Sequence, residues 1–111
     1  MILTLFAWIE RGENMDKSFW VYLLASQKNG TLYCGQTDNL ARRVYQHRSG
    51  WGSAFTKRYG VTRLVWCEPH KTREAAKQRE YRIKQWKRAW KIRLIEKANP
   101  DWDDLSLRIN Q

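Results

Sequence analysis

The chain has 111 residues, with 21 Lys and Arg against 11 Asp and Glu, a net charge of +10 and a pI near 10.0. That length suits one domain with a modest core, and the charge points to polyanions, nucleic acid ahead of an anionic membrane surface. No segment approaches the ~20 apolar residues of a membrane helix, and the run Ile2 to Ile9 has neither a basic flank nor a small-residue cleavage site, so neither a membrane anchor nor a signal peptide is expected and the protein reads as cytoplasmic.

Met15-Asp16-Lys17 stands immediately before the first β pattern, so residues 1–16 read as a dispensable extension, 17–106 as a single domain and 107–111 as a tail. The domain opens with FWVYLLASQKNGTLYCG from Phe19 to Gly35, two runs rich in aromatic and β-branched residues around Asn29-Gly30. Asn-Gly between such runs signals a hairpin, because both positions tolerate the positive φ of a tight turn. Strands are expected at Trp20 to Ser26 and Thr31 to Gln36. If the loop holds an even number of residues, opposed pairs have numbers with an odd sum and share a face. Tyr22 and Tyr33 meet that condition, so both phenols project from one side. A two-residue turn would offset them along the strands; a six-residue loop over 25–30 would set them directly opposite. Such a pair is either plain cross-strand packing or a reacting group.

Thr37-Asp38-Asn39 is an N-cap cluster before a helix over LARRVYQHR. Leu40 and Val44 define its inward stripe, which places Arg43 and His47 along the edge of the buried face and turns Arg42 and Arg48 elsewhere. Ser49 to Gly60 then reads as a loop, with glycines between Trp51, Phe55, Lys57, Arg58 and Tyr59. Stacking aromatics with phosphate-pairing cations make a strand-gripping loop; the alternative is a connector whose aromatics tuck into the core. Thr62 to Glu68 reads as a third strand. Cys34 and Cys67 lie inside apolar runs without CxxC spacing, as buried reduced thiols would, with a disulfide or zinc as alternatives.

From Thr72 to about Lys97 the pattern is helical, as one bent helix or two joined near Lys87, with Ala76, Ile83, Trp90 and Leu94 forming an apolar stripe. Glu80 falls on that stripe, where a carboxylate is costly unless it is paired, for instance with Arg43, or bound to metal. Lys and Arg crowd the remaining faces. Asn99-Pro100 ends the helix, after which Trp102 is expected to pack back on the body.

Taken together, the segments Trp20-Val21-Tyr22 with Tyr33-Cys34-Gly35, Leu40-Ala41-Arg42-Arg43-Val44 with His47, Phe55 to Gly60, Ala76 to Glu80 and Asn99 to Trp102 resemble the motifs of the GIY-YIG nuclease superfamily. The likeness runs from about Phe19 to Leu105 and is to the short single-domain bacterial branch, similar to the nuclease domain of the excinuclease C subunit. Trp20 replaces the glycine of the name and Cys34 its isoleucine; neither position carries reacting atoms. The resemblance implies an α+β fold, a small three-stranded antiparallel sheet flanked by helices. It implies metal-dependent hydrolysis of phosphodiester bonds in DNA, structure-selective or weakly sequence-specific, in DNA repair or recombination. By the same carry-over, Tyr22 and Tyr33 position or deprotonate the attacking water, and Arg43 stabilises the charged phosphorane. His47 assists nearby, Glu80 is the sole carboxylate ligand of Mg2+ or Mn2+, and Asn99 supports the site less directly. Lys57, Arg58 and Tyr59 are the expected substrate contacts on DNA, branched or single-stranded, with a protein partner as one means of targeting and activity at the nucleoid.

Simple chemistry is compatible with this. A phenol, with its pKa near 10, is a poor base unless cations such as Arg43 or a divalent ion lower it. One carboxylate suits Mg2+, which keeps most of its waters. Two other readings stand beside it: a non-catalytic nucleic-acid-binding module of the same fold, and a basic RNA- or ribosome-associated protein.

Overall fold

The Asn29-Gly30 signal forms a hairpin, with a longer connection than a tight turn. In the computed structural model, which describes residues 18–109, β1 (Phe19–Ala25) pairs antiparallel with β2 (Leu32–Thr37) across residues 26–31. Asn29 takes the left-handed conformation at φ 61°, and Ser26 N and Oγ both bond Thr31 to close the loop. The even loop keeps the face rule intact, and it lies one residue on from the six-residue alternative over 25–30, which moves each cross-strand partner by two residues. Tyr33 lies opposite Leu24 and Tyr22 opposite Gly35, so the two phenols share a face diagonally. The expectation for residues 1–16 lies outside the described residues.

β3 (Arg63–His70) adds on the other side of β1, giving an antiparallel sheet in the order β2-β1-β3. β1 is therefore central, and all but its first residue are buried, which explains its continuous apolar sequence. Around the sheet lie α1 (Leu40–Arg48), α2 (Ala54–Tyr59), α3 (Arg73–Gln85), α4 (Arg88–Ala98) and α5 (Ser106–Ile109). The fold is the expected α+β arrangement of a three-stranded sheet flanked by helices.

Three departures from the sequence reading have local causes. The expected loop over 49–60 contains α2, capped by Ser53 Oγ accepting from Thr56 N and ended by Gly60 at φ 64°. Glycines taken as slack are thus partly helix punctuation. Of the two forms left open for the long helical stretch, the structure has two helices, joined at Trp86-Lys87, where both residues are extended. The break resets the helical phase. Ala76 and Ile83 are buried as expected, but Ile95 takes the next buried position, Leu94 is half-buried and Trp90 is 47% exposed. Finally, α5 packs on α1 with Ile109 buried, so a helix extends into the residues read as the tail.

The segment after α4 closes the core. Trp102, at φ 58°, is fully buried, and its Nε1–H donates to Glu96 Oε2 at 2.7 Å. Leu105 N donates to Leu64 O, while Asp104 Oδ1 accepts from Leu64 N, which covers part of the outer edge of β3. Cys34 and Cys67 are buried and free. Among the described residues no helix is long and apolar enough to cross a membrane.

Candidate active site

The site is built on the diagonal tyrosine pair. Gly35 faces Tyr22 across the strands; a Cβ there would stand 2.5 Å from Tyr22 Oη and 2.6 Å from its Cζ. The glycine is needed for space, since it lets the phenol lie over β2 and reach α1. The rings of Tyr22 and Tyr33 are 6.4 Å apart, and the His47 imidazole sits 5.8 Å and 5.2 Å from them. Gly52 makes room for that imidazole, because a Cβ at 52 would overlap it.

The hydrogen bonds form a directed chain. His47 Nδ1 meets Thr56 Oγ1 at 2.9 Å, and the Thr56 hydroxyl is within 3.3 Å of Ser53 O, to which it can donate. Thr56 then accepts from His47 Nδ1–H. That leaves the Nε2 lone pair for the Tyr22 hydroxyl at 3.0 Å, an assignment that satisfies every donor in the chain. Arg43 Nε–H donates to Tyr22 Oη at 3.4 Å, Nη1 to Gln46 Oε1 at 3.1 Å and Nη2 to Gly52 O at 3.0 Å. Its guanidinium is pinned on three sides, with two N–H groups left over. Arg43 is also within reach of Tyr33.

Burial, and then the adjacent Arg43 charge, lower the His47 pKa to about 4, so the imidazole is neutral and its lone pair is available. Burial raises the Tyr22 phenol well above the usual tyrosine range, outweighing the hydrogen bond from Arg43. Arg43 does lower that phenol, as expected of a nearby cation, but by less than burial raises it. At neutral pH Tyr22 is a protonated phenol aimed at a neutral imidazole.

Glu80 lies on α3 with its side chain 20% exposed, and it does not pair with Arg43. Its Oε2 accepts from Lys84 Nζ, one turn on, at 2.7 Å. Its charge still reaches the site: after burial, Glu80 is the main influence raising the Cys34 thiol to about 12, and it also raises Tyr22. Among the described residues no group of three or more His, Cys, Asp or Glu could hold a metal. A donor set of one carboxylate fits a hard, oxygen-seeking ion that retains its waters, as Mg2+ does, and does not fit an ion that needs a preformed cage. A cavity of about 310 Å³ opens beside Tyr33, lined by Leu32, Cys34, Phe55, Lys84 and Lys91 among others.

Of the other expected site residues, Lys57, Arg58 and Tyr59 are exposed on α2. They connect to the site by a run of rings, Tyr33 to Phe55 at 6.1 Å and Phe55 to Tyr59 at 4.9 Å, with the Arg58 guanidinium 5.4 Å from the Tyr59 centroid. Trp51, Phe55 and Tyr59 are 82%, 42% and 49% exposed, so these aromatics are not tucked into the core. Asn99 is different. It is buried, its Nδ2 donates to Val65 O and Asp103 O, and its Oδ1 accepts from Asp103 N. It holds the turn after α4 and has no exposed atom to offer a substrate.

The sequence reading missed Thr56, Gly52 and Lys84. Lys84 carried a usable signal, since it lies four residues after Glu80 on a helix. Thr56 carried a weaker one, three residues after a serine able to cap a helix.

The model of the GIY-YIG catalytic domain matches residues 18–93. A UPF0213 protein of Oceanobacillus iheyensis is 37% identical over 82 residues, covering 74% of this chain and 94% of its own. A UPF0213 protein of Natronomonas pharaonis is 41% identical over 81 residues, covering 73% and 94%. The solution structure of the UPF0213 protein BH0048 from Bacillus halodurans superposes with a TM-score of 0.50 at 31% identity, covering 78% of this chain and 92% of that one. The match to the family model covers more than half of the chain, and the chain belongs to the GIY-YIG catalytic domain family.

Proposed function

We propose that this protein is a metal-dependent endonuclease that hydrolyses phosphodiester bonds in DNA, with structure-selective or weak sequence preference, in repair or recombination. The observation that carries the reading is the chain Thr56–His47–Tyr22 beside a pinned Arg43. Hydrolysis needs a base for water and charge neutralisation on the phosphate. Tyr22 is too well buried to exist as a free phenolate at neutral pH. It can nonetheless take a proton from water while passing its own to His47 Nε2, so that no bare phenolate forms. Tyr33, on the same face and more exposed, borders the cavity and orients the water or a phosphate oxygen. The two uncommitted N–H groups of Arg43 serve the equatorial phosphate oxygens, where charge builds. Glu80 would hold a Mg2+ or Mn2+ ion, whose chemistry when bound is to neutralise charge on the phosphate and the leaving oxygen. Lys57, Arg58 and Tyr59 contact the substrate backbone and bases beyond the cleavage point.

The test is incubation of the full chain with labelled single-stranded, duplex, flap and branched DNA, each with Mg2+, Mn2+ or EDTA. Cleavage of at least one substrate with metal, and of none with EDTA, is expected. Tight binding without cleavage under any metal would replace this reading with a non-catalytic binding module.

A further inference from the structure

A second groove lies on α4, away from the tyrosine chain. It has a volume of about 260 Å³ and is lined by Trp86, Trp90, Arg93, Leu94 and Lys97. The two indoles stand edge to face, 6.4 Å apart, and Trp90 is 47% exposed. Trp90, Arg93, Leu94 and Lys97 follow one another at helical spacing, so aromatic and cation share a single stripe.

The charges in this stripe are uncommitted. Arg88 on the same helix is bound to Asn29 O and Gly30 O, and the only acid of α4, Glu96, accepts from Trp102 Nε1. Arg93 and Lys97 have no ion-pair partner among the described residues. An exposed indole face, an apolar floor and two unpaired cations, with no acid in the lining, are complementary to one chemistry in particular: a stacked base followed by its phosphate. A duplex hides its base faces, so the occupant must be unpaired.

The groove also has a direction. Lys91, the residue after Trp90, lines the cavity beside Tyr33, so the two depressions lie on adjoining faces of one helix. We infer that the Trp90–Arg93–Lys97 groove is a second nucleic-acid site that stacks an unpaired base and directs the same strand into the cavity at Tyr33. The inference rests on the nucleic-acid reading above and narrows it: the substrate carries a single-stranded segment flanking the cleaved bond.

The experiment measures anisotropy of a labelled oligothymidylate with the full chain in EDTA, for the parent, Trp90→Ala, Trp90→Phe and the charge reversal Arg93→Glu/Lys97→Glu. Loss of a stacking side chain should weaken binding at least ~5-fold in Trp90→Ala, and Trp90→Phe should recover most of it. The charge reversal, at two exposed positions, should lower the dependence of log Kd on log salt by about 1.4, as for two phosphate contacts on a single strand. Parental affinity and salt slope in both Trp90→Ala and the reversal would overturn the groove while leaving the nucleic-acid reading intact. Failure of the parent itself to bind any oligonucleotide would remove both. A parental dimer that Trp90→Ala converts to monomer, with DNA affinity unchanged, would show the groove to be a contact between copies and overturn the proposal. A fall of more than ~8 °C in the Tm of Trp90→Ala, again with DNA affinity unchanged, would show that the indole is covered by the chain itself, with the same consequence.

Discussion

Replacing Gly35 by Ala tests whether the placement of the Tyr22 phenol matters to the chemistry. The new Cβ would lie 2.5 Å from Tyr22 Oη, 2.6 Å from Cζ and 3.1 Å from Cε1. Comfortable carbon contacts are about 3.5–4.0 Å, so the ring must move by about 1 Å. Tyr22 is only 1% exposed, and the shift strains both the 3.0 Å bond to His47 and the 3.4 Å bond from Arg43. Overpacking of this kind costs ~1–3 kcal/mol, which at ~4–8 °C per kcal/mol lowers Tm by roughly 4–24 °C. A misplacement of ~1 Å costs about 100-fold in rate. Both are read from thermal melts and metal-dependent cleavage, alone and in a Tyr22→Phe background. Phenylalanine keeps Cζ but lacks Oη. In that background the stability loss should therefore persist, while the further loss of rate should disappear. Parental cleavage by Gly35→Ala, or an equal loss of rate with and without the Tyr22 hydroxyl, would refute the reasoning.

The buried His47 should make stability depend on pH. Its pKa is depressed from the ordinary 6.5 to about 4, so its contribution is complete above pH 6.5, falls as pH drops from 6.5 towards 4 and levels off below that. The loss should be no more than ~3 kcal/mol, and His47→Gln should flatten this part of the profile in denaturant titrations. Duplex binding should be mainly electrostatic: with about five phosphate contacts, a fourfold rise in salt weakens it several hundred-fold. Lys57→Ala or Arg58→Ala should lower that slope without changing the bond cleaved, as read by gel shift and by mapping of the products.

Much of this could be read from the sequence because the relevant signals were local. Face alternation put Tyr22 and Tyr33 on one side for any loop with an even number of residues, and Asn39 with the Leu40–Val44 spacing marked α1, carrying Arg43 and His47 inward. What was not legible depended on tertiary contacts. The loop runs over 26–31 and not 25–30 because Ser26 closes the hairpin with Thr31, a bond the spacing alone does not specify. Trp90 lay on the apolar stripe only while residues 72–97 were taken as a continuous helix; the break at Trp86-Lys87 turned it outward. Arg43 was one example of a counter-ion for Glu80 if that carboxylate were paired, but three hydrogen bonds to Tyr22, Gln46 and Gly52 hold it elsewhere, and Lys84 takes that place. The sign of the Tyr22 shift was also hidden, because burial outweighs a neighbouring cation only once the whole packing is known.

The central claim is that Glu80 serves chemistry and not the fold, and Glu80→Gln tests it most directly. Among the described residues the carboxylate's one partner is Lys84, whose side chain is 49% exposed, so losing the pair should cost no more than ~1 kcal/mol and leave Tm within several degrees of the parent. The variant should still bind DNA. With saturating Mg2+, its cleavage of the best substrate should fall by at least ~10³-fold, the loss expected when an ion contributing several kcal/mol to the transition state is no longer held. A variant that unfolds, or one that cleaves like the parent, would show Glu80 to be structural and contradict the account.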